Sequence, residues 1–239
     1  MTIYKIENSL FEKFPDFRRV VVIGTGLDNS PGEPGTAPLL AEAVARVNPS
    51  PTAEDEARIQ VWDDAYRNFG ADPHRYTPSI RFLRQQILRG KPPRSISRIV
   101  DLFNIVSLNR TIPCGGDDLQ SLAGGDLRLG FASGTETFSP LFKPSIQERP
   151  DPGEVIYYTP QTGRVLCRRW TWRNSDFSKI TPQTRDVAVN LDFMVPPFQE
   201  ADLAAAADEL GALITQSCGG TVRTYYLGPR QSDFQIQLG

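Results

Sequence analysis

DLRLGFA (126–132), EVIYYT (154–159), RVLCRRWTW (164–172) and RDVAVNLDFMV (185–195) fall in one half of the chain and decide its fold class. All four are rich in β-branched and aromatic residues, and the first alternates Leu127, Leu129 and Phe131. Such runs read as strands, with turns at Asp-Pro-Gly and Thr-Pro-Gln-Thr-Gly between them. Working outward, QEADLAAAADELGALITQSCGG (199–220) puts Leu203, Leu210 and Ile214 on one helical face, and TVRTYYLG (221–228) returns to a strand. Upstream, VVVI (20–23) reads as a short buried strand, followed by the Gly/Pro-rich connection GTGLDNSPGEPGT (24–36). That connection lacks the third glycine of a dinucleotide fingerprint and the G-K-[ST] of a phosphate loop.

Three helices are expected between this connection and the strands. Thr52 with Asp55 three residues on resembles a capping box, Ala57, Val61, Ala65 and Phe69 repeat every four residues, and Gly70 supplies a stop. Thr77-Pro78 opens a second helix with Ile80, Leu83 and Ile87 along one stripe. SISRIVDLFNIVSLN (95–109) is apolar nearly all round, with Ser97, Asp101, Asn104 and Ser107 on one narrow polar stripe. A helix of that kind is buried, and its polar stripe must meet polar partners inside. The fold class expected is α+β, a mixed α/β chain with largely antiparallel sheets packed with helices. Residues 1–228 read as one unit and 229–239 as a C-terminal tail.

Composition narrows the function. The 239 residues are 39% hydrophobic and 23% charged, ordinary for a soluble globular protein. No run is long and apolar enough for a membrane span, and no signal peptide is read at the start, so a cytoplasmic location without membrane partners is expected. Three dispersed cysteines and the single His74, set in turn-like ADPHRYTP, make zinc sites, disulfide frameworks and His-based triads poor fits. No metal and no organic cofactor are expected. The net charge of −2 conceals an uneven distribution: residues 1–64 carry eleven acids against six bases, whereas 164–185 carry six bases and Asp176 alone as acid. A phosphate-bearing partner would meet the second stretch.

VDLFNIVSLNRTIPCGGDDL (100–119), LRLGFASGTETFSPL (127–141) and PGEVIYYTPQTGRVLCRRWTWRNS (152–175), in that order and spacing, resemble the editing and tRNA-binding domain of the bacterial phenylalanyl-tRNA synthetase beta subunit. The resemblance covers roughly residues 60–195 and is closest to stand-alone proteins built on that domain. It implies a β-rich mixed fold that hydrolyses the ester of mis-charged aminoacyl-tRNA, acting on the aminoacylated 3′ end and not on DNA. It also implies that Asp101-Leu102-Phe103-Asn104 matches the family's D-V-T-N helix, and that Gly134-Thr135-Glu136 matches its Gly-Gly-Glu segment. One departure stands out. Gly115 occupies the place of the family's pocket histidine, which leaves space and removes a donor.

On this basis Glu136 is the expected holder of the hydrolytic water and Asn104 the expected partner of the ester carbonyl or α-amino group, in a pocket shared with Gly115. Each has a plainer alternative: a strand-end glutamate paired with an arginine, and a buried amide capping a neighbouring strand. Asp101 is expected to hold Arg128, Gly134 and Thr135 to flank the substrate, and Gly115 and Gly116 to permit close backbone approach, unless they form an ordinary tight turn. Arg168, Arg169, Trp170 and Arg173 alternate guanidiniums and indoles, suited to phosphates and unpaired bases, or else place the tryptophans in the core. The competing functions are a non-catalytic tRNA- or amino-acid-binding module and a small-molecule amidohydrolase.

Overall fold

The structure, a computed structural model, describes residues 2–32, 35–122 and 125–236. Two sheets carry the molecule. The first has six strands in the order β10-β1-β4-β5-β6-β7, built from Thr2–Ile6 (β1), Leu127–Phe131 (β4), Val155–Thr159 (β5), Arg164–Arg168 (β6), Arg173–Asn174 (β7) and Asp233–Ile236 (β10). The second has the order β3-β8-β2-β9, from Phe17–Thr25 (β2), Cys114–Asp118 (β3), Val187–Met194 (β8) and Thr221–Leu227 (β9). Among the strand pairs of the described residues, only β1–β4 is parallel. The α+β reading with largely antiparallel sheets therefore holds. β10 pairs with β1 from Thr2↔Ile236 to Lys5↔Asp233, so residues 233–236 are an edge strand and not part of a tail; residues 237–239 lie outside the described ones.

Helices α1 (Asn8–Lys13), α2 (Ala37–Ala45), α3 (Ala53–Asn68), α4 (Ser79–Leu88), α5 (Arg98–Arg110) and α6 (Glu200–Cys218) pack on these sheets. The capping box is present on α3: Asp55 N–H donates to Thr52 Oγ1 at 3.1 Å and Thr52 N–H to Asp55 Oδ2. Its buried face is Ile59, Trp62, Ala65 and Tyr66, rotated from the expected stripe because Trp62 and Tyr66 supply far more apolar area than Ala57. One core joins both sheets through Tyr4, Phe17, Trp62, Leu127, Tyr157 and Ala188. The other packs α2, α5 and α6 against the opposite side of β2 and β8.

Helix α5 is buried as its pattern requires, and its polar stripe has specific partners. Asp101 is fully buried and accepts from Thr36 Oγ1 (2.7 Å), Ser95 Oγ (2.6 Å) and Ile96 N–H. It does not hold Arg128, which sits part-exposed on β4 between Lys5 and Tyr158. Asn29 and Ser30 satisfy two more of the α5 donors, Ile99 N–H and Arg98 N–H. The Gly/Pro-rich connection is thus a strap across the start of α5; Glu33 and Pro34 within it lie outside the described residues. A Cβ on Gly32 would fall 2.0 Å from Asp101 Oδ2, so only glycine fits there.

Asp101→Ala leaves the buried Thr36 hydroxyl and the half-buried Ser95 hydroxyl without their acceptor, and we expect it to destabilise the fold by about 3 kcal/mol in urea unfolding. Asp101→Asn, which keeps an acceptor, should lose less.

Candidate functional site

The segment 164–172 does not continue as one strand. β6 ends at Arg168, and Arg169 and Trp170 take left-handed backbone at φ 45° and 65° before β7 begins. Two non-glycine residues in that region cost roughly 1–2 kcal/mol each, and long-range contacts hold them there. Trp170 packs edge-on against Phe14, Phe17 and Trp62 with ring centroids 4.8–5.5 Å apart and is 2% exposed. Arg169 lies 3.6 Å over the Tyr76 ring, with Trp172 on another side, and pairs with Asp151 and Glu154.

These contacts correct the expected RNA surface. Arg168 forms a bidentate pair with Glu154 at 2.9 and 2.8 Å and also bonds Glu148. Buried and paired, Arg168 and Arg169 have no face for phosphate, and Trp170 has none for a base. The alternation was legible, but the acids that claim the arginines lie on the separate segment 148–154. Arg173 differs, being a third exposed while bonding Glu148 at 3.2 Å.

Glu136 is likewise occupied. Its carboxylate accepts from Ser133 N–H (3.0 Å), Ser133 Oγ (2.9 Å) and Gly134 N–H (3.0 Å), closing its own turn. Burial opposes its charge, but these donors outweigh that and hold the carboxyl below its ordinary range. Gly134 is required by its φ of 90° and by Pro152, which leaves a Cβ only 2.9 Å, while Thr135 is exposed. The turn sits beside Gly163 and Phe138, whose small core with Ala132, Ile156 and Val165 is separate from the two larger ones. Neither Glu136 nor Asn104 lines the cleft that contains Gly115. Asn104 is half-buried on α5, and its side chain bonds no described residue. The structure brings Gly115 and Gly116 together with Arg173 and Trp170, and leaves Glu136, Asn104, Asp101 and Arg128 outside.

That cleft opens between the two sheets along β3. β3 is an edge strand, paired by β8 on one side only, so part of its backbone hydrogen-bonding capacity has no strand partner. The cleft has two lobes that meet at Gly116, Asp117, Leu141 and Asn174. One, of about 270 Å³, has a polar floor of Arg19, Asn190 and Asp192. The other, of about 360 Å³, is walled by Ile96, Val100, Phe103, Phe142, Ile180 and Pro182. The floor is a buried network: Arg19 Nε and Nη2 reach Asp192 at 2.5 and 2.7 Å, Arg19 Nη1 donates to Tyr4 Oη, and Tyr4 Oη donates to Asn190 Oδ1. Burial opposes the guanidinium's charge, but Asp192 and Tyr4 overcome it and keep Arg19 above its ordinary pKa. Burial pushes the Tyr4 phenol up to about 12.

At Gly115 an added Cβ would meet nothing within 4 Å, so the cleft is open there. At Gly116 the same atom would lie 2.8 Å from Ile180 Cδ1, so glycine there shapes the apolar lobe. Asp117 is a group the sequence reading passed over. It is buried where the lobes meet and accepts from Ser178 Oγ at 2.5 Å. Burial raises its carboxyl to about 7, with Ser178 and Arg19 acting in the opposite sense. The available signal was Asp117-Asp118 on a short strand, where successive side chains face opposite ways. Asp118 turns outward to Thr184 and Gln120. His74 is exposed and forms no part of the cleft walls.

The B3/4 domain family profile matches residues 61–219, so the chain belongs to the B3/4 domain family, a domain found in the phenylalanyl-tRNA synthetase beta subunit. Among solved structures it is similar to an N-terminal fragment of the phenylalanyl-tRNA synthetase beta subunit from Pyrococcus horikoshii, at 13% identity and a TM-score of 0.45. That alignment covers 92% of this chain and 50% of the fragment, so the chain spans about half the fragment's length. No curated protein matches the chain. No helix among the described residues is long and apolar enough to cross a membrane.

Arg168→Ala removes the bidentate partner of the buried Glu154, leaving it Arg169 alone, and should destabilise the protein by roughly 3 kcal/mol. Arg173→Ala, at a solvated pair, should cost about 1 kcal/mol or less. Thermal unfolding of both variants checks the contrast.

Proposed function

We propose that the chain binds the aminoacylated 3′ end of tRNA in the cleft along β3 and, acting in trans in the cytoplasm, hydrolyses the ester between amino acid and ribose. The observation that carries this reading is the two-lobed cleft joined at Gly116–Asp117 in a B3/4-domain chain. An aminoacyl ester has the same division. Its ammonium and ester groups suit the polar lobe, lined by Asp117, Asn174 and Asn190, and an apolar side chain suits the lobe walled by Phe103 and Ile180. Gly115 leaves room for the ribose, and Arg173 at the rim is the cation best placed for the terminal phosphodiester. An aminoacyl ester is already activated, so positioning a water and supplying donors to the developing oxyanion suffice for catalysis. Asn174 at the junction, with a side-chain amide that bonds no described residue, is one such donor.

A non-catalytic binding module is the second reading, favoured by one observation: the Glu136 carboxylate is spent on its own turn. Turnover separates the two. We expect a deacylation screen over tRNAs carrying many amino acids, non-protein ones included, to find at least one apolar aminoacyl ester hydrolysed faster than in buffer. A flat screen at high enzyme concentration, with salt-dependent tRNA binding retained, selects the binding module. Binding of the free amino-acid derivative alone, with no affinity for tRNA, contradicts both.

Gly115→Ala should leave the melting temperature unchanged and raise KM by narrowing the polar lobe. An unaltered KM would remove that lobe from the substrate's path.

A further inference from the structure

Asp117 is the acidic side chain shared by both lobes of the cleft. One oxygen, Oδ1, is engaged by the Ser178 hydroxyl at 2.5 Å, and Oδ2 receives no hydrogen bond from any described residue. Ser178 is itself buried and fixed by its backbone, since its carbonyl accepts from Asp118 N–H at 2.9 Å. The carboxyl is therefore held in one orientation by a hydroxyl on a neighbouring loop, with its second oxygen free. Beside it Gly116 carries no side chain to block approach.

We infer that Asp117 is the general base of this cleft, with Ser178 as the residue that positions it. The inference rests on the hydrolytic reading proposed above. Ionised Asp117 takes a proton from a water as the water oxygen bonds to the ester carbonyl carbon. The tetrahedral species then breaks its bond to the ribose oxygen, which leaves with the proton returned by Asp117. Ester and water become free amino acid and a ribose hydroxyl, with no further reactant.

The surroundings set the pH at which this base works. Facing Asp117 are Arg19 on β2, Tyr157 on β5 and Cys167 on β6, with Asp118 next to it on β3 and Ser178 on the loop. Arg19 is already neutralised by Asp192, so the low polarity of the site dominates and the carboxyl is raised to about 7. A base must be ionised, so activity should rise with pH and level off above the folded-state value. The Ser178 hydroxyl stabilises the ionised form; its removal must shift the profile to higher pH, an effect a merely structural role would not produce.

The test is kcat/KM against pH from 5 to 9 for wild type, Asp117→Asn and Ser178→Ala, on the best ester from the deacylation screen, with near-ultraviolet circular dichroism as the folding check. Expected are a wild-type rise with a midpoint near neutrality, a loss on the order of 10²–10⁴ without pH dependence in Asp117→Asn, and an upward-shifted midpoint in Ser178→Ala. Should Asp117→Asn fail the folding check, the Ser178→Ala midpoint decides alone. A wild-type rate in folded Asp117→Asn, or an unmoved midpoint in Ser178→Ala, overturns the assignment while leaving the hydrolytic reading intact. No wild-type turnover on any ester overturns both.

Discussion

A guanidinium buried between two sheets constrains much of this molecule. Arg19 lies on β2 of the four-stranded sheet, its charge met by Asp192 on β8, and one of its donors crosses to Tyr4 on β1 of the six-stranded sheet. Taking such a pair out of water carries a desolvation penalty of several kcal/mol per ion, which is offset only when both partners are fully bonded. The bidentate geometry and the Tyr4–Asn190 continuation meet that condition. Breaking the register of β2 on β8 by one residue would send Arg19 and Asp192 to opposite faces. The network therefore supports strand register, sheet-to-sheet docking and the polar floor of the cleft at once.

The same constraint explains why the cleft runs along β3. With β8 committed to β2 on one edge, β3 closes the sheet on the other and leaves its backbone facing the gap between the sheets. Glycines at 115 and 116 keep that gap open. Asp117, one step further along, lines both lobes, and Ser178 on the returning loop fixes its direction. The left-handed turn at Arg169–Trp170 brings Trp170, Thr171 and Trp172 to the opposite wall, its backbone cost offset by the aromatic cluster beneath and the acids around it.

Features governed by neighbours in sequence were legible before the structure. The Thr52–Asp55 capping box, the burial of α5, the strand-rich second half and the empty space at Gly115 depend on local pattern or on the size of one side chain. Features governed by distant partners were not. Asp101 was expected to meet Arg128 but meets Thr36 and Ser95 across the glycine-rich strap. Arg168 and Arg169 read as a phosphate surface until Glu148, Asp151 and Glu154 claim them. Strand propensity continued through Trp170 because no glycine announced the left-handed turn. Glu136 sat in the right kind of motif, yet nothing in its spacing revealed that its own backbone donors would consume the carboxylate. Asp117 was missed for the reverse reason: no motif marks it, and its chemistry comes from burial.

On the proposed reading, the aminoacyl end of the substrate lies along Gly115, Gly116 and Asp117. The most direct test is a nuclear magnetic resonance titration of labelled protein with 3′-aminoacylamino-adenosine, whose amide resists hydrolysis, carrying an apolar amino acid. Expected are saturable shifts in the Gly115 and Gly116 backbone amides, in the Asn174 side-chain amide and in Ser178, with those of Ser133 and Gly134 unmoved. Shifts confined to the Ser133–Glu136 turn, with β3 silent, would contradict that reading.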